Sequence, residues 1–154
     1  MEQDTTYNSK HVLKKLHALF RRTGERIVIG DSRSQQIRLV DPASIMYIKA
    51  EQNYTKWVLS DGTEFLLTCQ LGTCEEFITR QICDEELTLA RCGRSTIINF
   101  KYITDLDMTR KKVVISNRLN YNKDMGKIEI SVPEEILKQL KEAIILYKET
   151  NENR

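Results

Sequence analysis

The sequence predicts a mostly β, α+β fold with one helix at each end of the chain and one in the middle. Two observations predict it. From Arg26 onward most of the chain consists of short segments that alternate apolar and polar residues and are broken by turn residues, as half-buried strands are. Three other segments, near residues 9–22, 71–82 and 134–147, repeat apolar residues at helical spacing. A length of 154 residues suits one domain with a short appendage.

The first helix is predicted from Ser9, a capping residue, to about Arg22, with Gly24 after its end. Its apolar residues recur on one face, and they are Val12, Leu13, Leu16, Leu19 and Phe20. A short helix is marginal unless such a stripe is buried, so we expect it to pack on the domain. The alternatives are pairing with a second copy or contact with an acidic surface, such as that of a protein partner, and a membrane role is the minor alternative.

Five extended segments follow the first helix. Arg26 to Gly30 and Gln36 to Val40 are expected to form a hairpin around a polar turn. The next three segments form a meander whose last turn is Asp61-Gly62, a strong hairpin signal. Those three segments are Ile45 to Ala50, Tyr54 to Ser60 and Thr63 to Thr68.

The second half of the chain is predicted to begin with the helix over Leu71 to Ile82, which covers the sheet. Four strands are then expected around Thr96 to Ile98, Ile103 to Thr109, Lys112 to Ser116 and Ile128 to Val132. A long polar loop, residues 117–126, precedes the last strand. Ser131 and Glu134 form a capping-box pattern for the terminal helix.

Positive charge is concentrated in one segment although the whole chain has a net charge of only +2. Residues 91–127 contain nine lysines and arginines and three aspartates. Within it, Arg91, Arg94 and Lys101 surround a β-branched centre, and the planar fork of an arginine suits a phosphate or the edge of a guanine. These features indicate nucleic acid, while the alternative is a structural strand flanked by solvated basic residues.

A second polar cluster lies at the corner between the third and fourth predicted strands, at Glu51 to Lys56. It combines an amide, a phenol, a hydroxyl and an ammonium. Amides pair with adenine, lysine and hydroxyls bind phosphate, and an aromatic ring packs on sugar or a thymine methyl. The alternative is a hairpin tip at which Asn53 bonds its own backbone.

Other functional classes find little support in the sequence. Cys69, Cys74, Cys83 and Cys92 lack the spacing of a metal clip or redox pair, and the two histidines lie on opposite sides of the first helix, so we expect no metal and no cofactor. No catalytic motif occurs, and we expect no enzyme activity. With no signal sequence or membrane span, we expect a soluble cytoplasmic protein that does not bind membranes.

Two stretches in this order and separation resemble the LytTR family of bacterial DNA-binding domains. They are Ile45-Met46-Tyr47-Ile48-Lys49-Ala50-Glu51-Gln52-Asn53-Tyr54-Thr55, and Leu89-Ala90-Arg91-Cys92-Gly93-Arg94-Ser95-Thr96-Ile97-Ile98-Asn99 with Tyr102-Ile103. The resemblance extends from about Ile37 to Tyr147. It implies stacked small antiparallel sheets that offer loops to successive major grooves of promoter DNA, commonly as two copies on repeated sites. We expect this domain over residues 26–150, after a helical extension at residues 1–25.

The resemblance also implies which residues contact DNA. Asn53 to Lys56 fill the first contact region of the family, and Arg94 and Ser95 match the second, although Gly93 stands where histidine is usual. The third contact, a basic residue after Ser131, has no counterpart here, so we expect it to be either missing or moved to Arg118 or Lys123. The predicted DNA-binding residues are Asn53, Lys56, Arg94, Ser95, Lys101 and Lys123.

We therefore expect a stand-alone transcription regulator, related to response regulators, that binds double-stranded promoter DNA, with a homodimer on repeated sites. Asn53 would read a base, Arg94 would read a base or clamp a phosphate, and Lys56 and Lys101 would hold the phosphate backbone. The alternative is a protein-interaction or redox-responsive module on the same scaffold that binds no DNA, with Cys92 as its candidate thiol.

Overall fold

The computed structural model describes residues 9–21, 26–30, 35–82, 87–117 and 127–152. Its helices and strands, in chain order, are α1 (Ser9–Arg21), β1 (Ile27–Ile29), β2 (Arg38–Val40), β3 (Ile45–Glu51), β4 (Tyr54–Leu59), β5 (Glu64–Leu67), α2 (Leu71–Gln81), β6 (Leu89–Arg91), β7 (Thr96–Asn99), β8 (Ile103–Asp107), β9 (Lys112–Ser116), β10 (Lys127–Ser131) and α3 (Glu134–Glu152). Short 3-10 turns occupy Pro42–Ser44 and Phe100–Tyr102. The chain divides into two compact units, Met1–Pro42 with Glu75–Leu87, and Ala43–Cys74 with Thr88–Arg154.

The first unit contains the antiparallel hairpin β1–β2, in which Ile27 lies opposite Val40. The amide of Gln81, in the last turn of α2, donates to the carbonyl oxygen of Val28 at 2.9 Å and accepts from its N–H at 2.7 Å. This double hydrogen bond attaches the edge of the hairpin to the helix.

Helix α1 leaves its described apolar side chains in solvent. Val12 is 58% exposed and Leu13 52% exposed, and Leu16 is also exposed. The packing of this stripe on the domain, on a second copy or on a protein partner stays a prediction.

The second unit is built from two antiparallel sheets. The larger has five strands in the order β5-β4-β3-β7-β6, and the smaller has three in the order β10-β9-β8. On the five-stranded sheet, Ile48 lies opposite Trp57 on one side and Ile97 on the other. All three side chains are buried, so apolar residues of three neighbouring strands pack together at the centre of this face.

The two sheets stack through one continuous apolar cluster. It takes residues from both sheets and the turns next to them and from the first turn of α3. Its buried members are Met46, Cys92, Ile98, Tyr102, Val113, Ile115, Ile130, Val132 and Leu137. Since this apolar surface leaves water on both sheets at once, it fixes them face to face.

The fold class predicted from the sequence is confirmed as stacked small antiparallel sheets with three helices, in which helix and strand contents are about equal. Strand β6 was not predicted. The predicted capping box is wrong, because Ser131 ends β10 opposite Lys112 and α3 begins only at Glu134. None of the described helices combines the length and apolarity that a bilayer crossing requires.

Candidate nucleic-acid interface

One end of the five-stranded sheet brings together the two connections that the sequence singles out. Strand β7 runs antiparallel to β3 with Lys49 opposite Thr96, and just beyond this pair the N–H of Ala50 donates to the carbonyl oxygen of Ser95 at 2.8 Å. The β3–β4 turn, residues 52–53, and the β6–β7 loop, residues 92–95, are therefore neighbours. This arrangement brings Asn53, Arg94 and Ser95 to the same end of a rigid sheet.

The side chains of Asn53, Arg94 and Ser95 are exposed there. Within the described part of the chain, no ion pair involves Arg94. A nearby arginine instead supports the loop: Arg91 donates from Nε to the carbonyl oxygen of Gly93 and from Nη2 to that of Arg94, both at 3.2 Å. The two arginines thus differ in role, since Arg91 holds the loop backbone and the guanidinium of Arg94 projects from it.

The backbone conformation and the neighbours of residue 93 explain why it is glycine here, where the family usually has histidine. Its φ of +96° lies in the left-handed region, and a Cβ placed on it would lie 3.0 Å from Cδ and 3.1 Å from Cγ of Pro133. Any larger residue would therefore be strained by its backbone conformation and by its contact with Pro133. The two departures from the family pattern therefore touch each other, because Pro133 lies where a basic residue was expected after Ser131.

A pair of lysines extends the positive surface along one face of the sheet. Lys49 on β3 lies directly opposite Lys56 on β4. Lys56 bonds Glu64 at 3.2 Å, and this hydrogen bond raises the pKa of the ammonium. Lys49 is exposed and forms no ion pair with any described residue. Like charges that face each other across a strand pair repel, and an anion bound between them would relieve the repulsion.

Lys49 was missed as a site residue in the sequence, although a signal was present. It follows buried Ile48 in a strand whose side chains alternate, so it must point away from the apolar face that Ile48 and Trp57 share. The same alternation places it beside Tyr47, whose pKa is raised by burial.

An open groove of about 330 Å³ begins beside Ser95. Its walls come from β3, β7 and β10, and it is lined by Tyr47, Lys49, Ser95, Thr96, Ile128, Glu129, Ile130 and Ser131. Glu129, its acidic group, receives two hydrogen bonds from Arg110 at 2.8 and 2.9 Å, which lower the pKa of the carboxyl. Because Arg110 compensates this carboxylate, the groove does not strongly repel a phosphate.

Lys101 is not brought together with Asn53, Arg94 and Ser95. It lies in the 3-10 turn after β7, and the four residues of β7, a strand length of about 13 Å, stand between that turn and the 92–95 loop. Its ammonium lies 5.4 Å from the ring centre of Tyr102 and is exposed. Lys123 and Arg118 lie outside the described residues.

The described residues contain no group of His, Cys, Asp or Glu side chains that could hold a metal ion. Cys92, the thiol proposed for a redox role, is buried, and burial raises its pKa to about 11. Such a thiol is protonated and shielded at neutral pH, which makes it a weak candidate for oxidation.

Comparison with known proteins agrees with this architecture. The sequence pattern of the LytTr DNA-binding domain matches residues 35–145. Among solved structures, the LytTr DNA-binding domain of a methyl-accepting/DNA response regulator from Bacillus cereus has 16% sequence identity and a TM-score of 0.50, with 78% of this chain and 96% of that chain covered. At that identity the likeness shows the fold alone. No curated protein matches the chain in sequence. Since the family pattern spans both sheets of the second unit and the start of α3, the chain belongs to the LytTR family of DNA-binding domains.

Proposed function

We propose that this chain is a transcription regulator, without enzymatic activity, that recognises a specific double-stranded promoter sequence. The observation that carries the proposal is the placement of Asn53, Arg94 and Ser95 at one end of the five-stranded sheet, exposed and next to Lys49 and Lys56. Loops held by a sheet can enter a major groove without a recognition helix, because their backbone is already fixed.

The roles follow from the chemistry of each group. Arg94 offers two parallel donors to the O6 and N7 atoms of a guanine, and the amide of Asn53 offers a donor and an acceptor to an adenine. The hydroxyl of Ser95 and the ammonium groups of Lys49 and Lys56 bind phosphate oxygens, which position the duplex without reading it. Lys101, on the far side of β7, would reach a phosphate outside the recognised base pairs.

The first experiment is a selection of bound sequences from a random duplex pool, followed by affinity measurements on the selected site. Arg94→Ala should weaken binding to that site by about 1 to 3 kcal/mol and relax the preference at one base position. Arg80→Ala is the matched control, since this exposed arginine lies in α2 and pairs with Glu76. Equal affinity and equal base preference for Arg94→Ala and the unaltered protein would overturn the role of Arg94.

We also propose that two copies bind together. Four consecutive residues of α3, Ile144 to Tyr147, make one helical turn that is apolar on every side, with Ile144 50% and Tyr147 70% exposed. A helix that is apolar all round is normally covered. Ile144 and Tyr147 continue the stripe that begins at buried Leu137, so a second α3 could extend the apolar contact. Sedimentation of the selected complex should give two chains per site, and Tyr147→Glu should reduce this to one.

The alternative function, a module that binds proteins but no DNA, predicts a different dependence of duplex binding on salt concentration. Phosphate contacts release counterions, so the affinity of a DNA-binding chain falls steeply as salt rises. The logarithm of the affinity for duplex DNA should therefore fall linearly with the logarithm of the salt concentration. Weak retention that does not depend on salt would favour the alternative function.

A further inference from the structure

Three polar side chains near the start of β4 form a cluster that the proposed DNA contacts do not use. Cys69 lies between β5 and α2, Cys74 lies in the first turns of α2, and their Sγ atoms are 3.4 Å apart. The hydroxyl of Thr55 lies 3.3 Å from Sγ of Cys74 and 3.7 Å from Sγ of Cys69. Trp57 donates from Nε1 to the same hydroxyl at 3.1 Å.

We propose that Cys69 and Cys74 are a site of reversible oxidation, at which a hydroperoxide converts the two thiols into an intramolecular disulfide. The inference is independent of DNA binding. The sulfurs need to approach by roughly 1.4 Å to reach the length of a disulfide bond. Only five positions separate the two cysteines, and both sulfurs already touch one hydroxyl, so their separation is held by the fold.

The burial of the two thiols assigns the order of events. Cys69 is half-buried and Cys74 is buried, with a pKa raised to about 12 by that burial. Cys69 is the sulfur that a peroxide can reach, so it is oxidised first. Cys74 acts second because the fold holds its sulfur 3.4 Å from that of Cys69, and its proton leaves in that step with the departing hydroxyl.

The chemistry balances with the peroxide as the oxidant. The sulfur of Cys69 attacks one peroxide oxygen, the O–O bond breaks, and the departing oxygen leaves as water or an alcohol while Cys69 becomes a sulfenic acid. The sulfur of Cys74 then attacks that of Cys69, the S–O bond breaks, and the hydroxyl leaves with the proton of Cys74 as a second water. Two electrons pass from the thiols to the peroxide.

The disulfide would have a local reporter in Trp57, the only tryptophan of the chain. Its Nε1–H bonds Thr55, and its ring stacks on Phe65 with the centroids 5.5 Å apart. Oxidation removes the thiol partners of Thr55 and places a disulfide beside this indole, so its fluorescence should change when the bond forms.

The sequence also supplies a clean chemical readout. Trypsin cleaves after Lys56 and after Arg80, so residues 57–80 form one peptide that contains Cys69 and Cys74, while Cys83 and Cys92 fall in other peptides. The full chain is treated with hydrogen peroxide, blocked with an alkylating agent, digested and analysed by mass spectrometry. We expect this peptide without alkyl groups and lighter by two hydrogen atoms, and doubly alkylated if dithiothreitol is added before blocking.

Serine variants of the two cysteines test whether both sulfurs take part in the reaction. Cys69→Ser should abolish both the mass change and the reversible fluorescence change of Trp57, and its half-buried position makes it compatible with folding. Cys74→Ser, if it folds, should leave Cys69 oxidised without a bridge. The inference is overturned if the peptide of the unaltered protein remains doubly alkylated after peroxide, or if Cys69 links instead to Cys92 or to a second chain.

Discussion

Gly93→Ala tests whether the departure from the family pattern at this position is imposed by the fold. A non-glycine residue in the left-handed region costs about 1 to 2 kcal/mol. The added Cβ would also lie 3.0 and 3.1 Å from two atoms of Pro133, and overpacking of this kind costs about 1 to 3 kcal/mol. We therefore expect the free energy of unfolding, measured by urea denaturation, to fall by about 2 to 5 kcal/mol.

Gly62→Ala is the matched control, because Gly62 has a φ of +92° and no atom lies within 4 Å of the position that an added Cβ would take. It should lose only the backbone part, about 1 to 2 kcal/mol. A double variant, Gly93→Ala with Pro133→Ala, should recover the contact part relative to the two single variants. If Gly93→Ala costs no more than Gly62→Ala, or if the two substitutions add without coupling, the contact with Pro133 does not constrain Gly93.

Three further predictions concern the sheet and its positive face. Asn99→Ala removes the buried amide that donates to Ile45 at 2.8 Å and should lower the free energy of unfolding by about 3 kcal/mol, as seen in urea denaturation. Lys49→Gln should weaken DNA binding for all sequences and reduce the slope of log affinity against log salt by about 0.9. The pKa of Glu129 lies below its ordinary value of 4.5 because of Arg110, so its ion pair stabilises the fold above that pH and is lost as the pH falls through the lower folded value. When the free energy of unfolding is measured as a function of pH, Glu129→Gln should reduce the loss of stability over this acidic range.

Most of the fold was predictable from the sequence because its signals are local. Alternation marked β3 and β4, the Asp61-Gly62 turn marked the hairpin that joins β4 to β5, and the 3.6-residue period marked the helices. Strand β6 was missed because it has only three residues. It is extended because its backbone pairs with that of β7, and its own side chains give little signal of a strand. Ser131 is a residue type that often caps helices, but here it lies in β10 because its backbone pairs with β9.

The candidate site was predictable only where sequence neighbours remain neighbours in space. Arg94 and Ser95 lie in one loop, and the sequence places them together correctly. Lys101 is close to Arg94 in sequence, yet the intervening β7 carries it to the other end of the sheet. Contacts between distant segments, such as that of Gly93 with Pro133, leave no periodic signal, because tertiary packing alone creates them.

The most direct test of DNA binding by these loops is to follow the backbone NMR signals of the chain while the selected duplex is added. If loops at one end of the five-stranded sheet enter the groove, the largest shifts should fall on residues 52–56 and 92–96 and on Lys49, with little change at Arg80 in α2 or at the β8–β9 turn, residues 108–111. Shifts confined to that turn or to α2, with residues 52–56 and 92–96 unchanged, would contradict the central claim that this end of the sheet binds DNA.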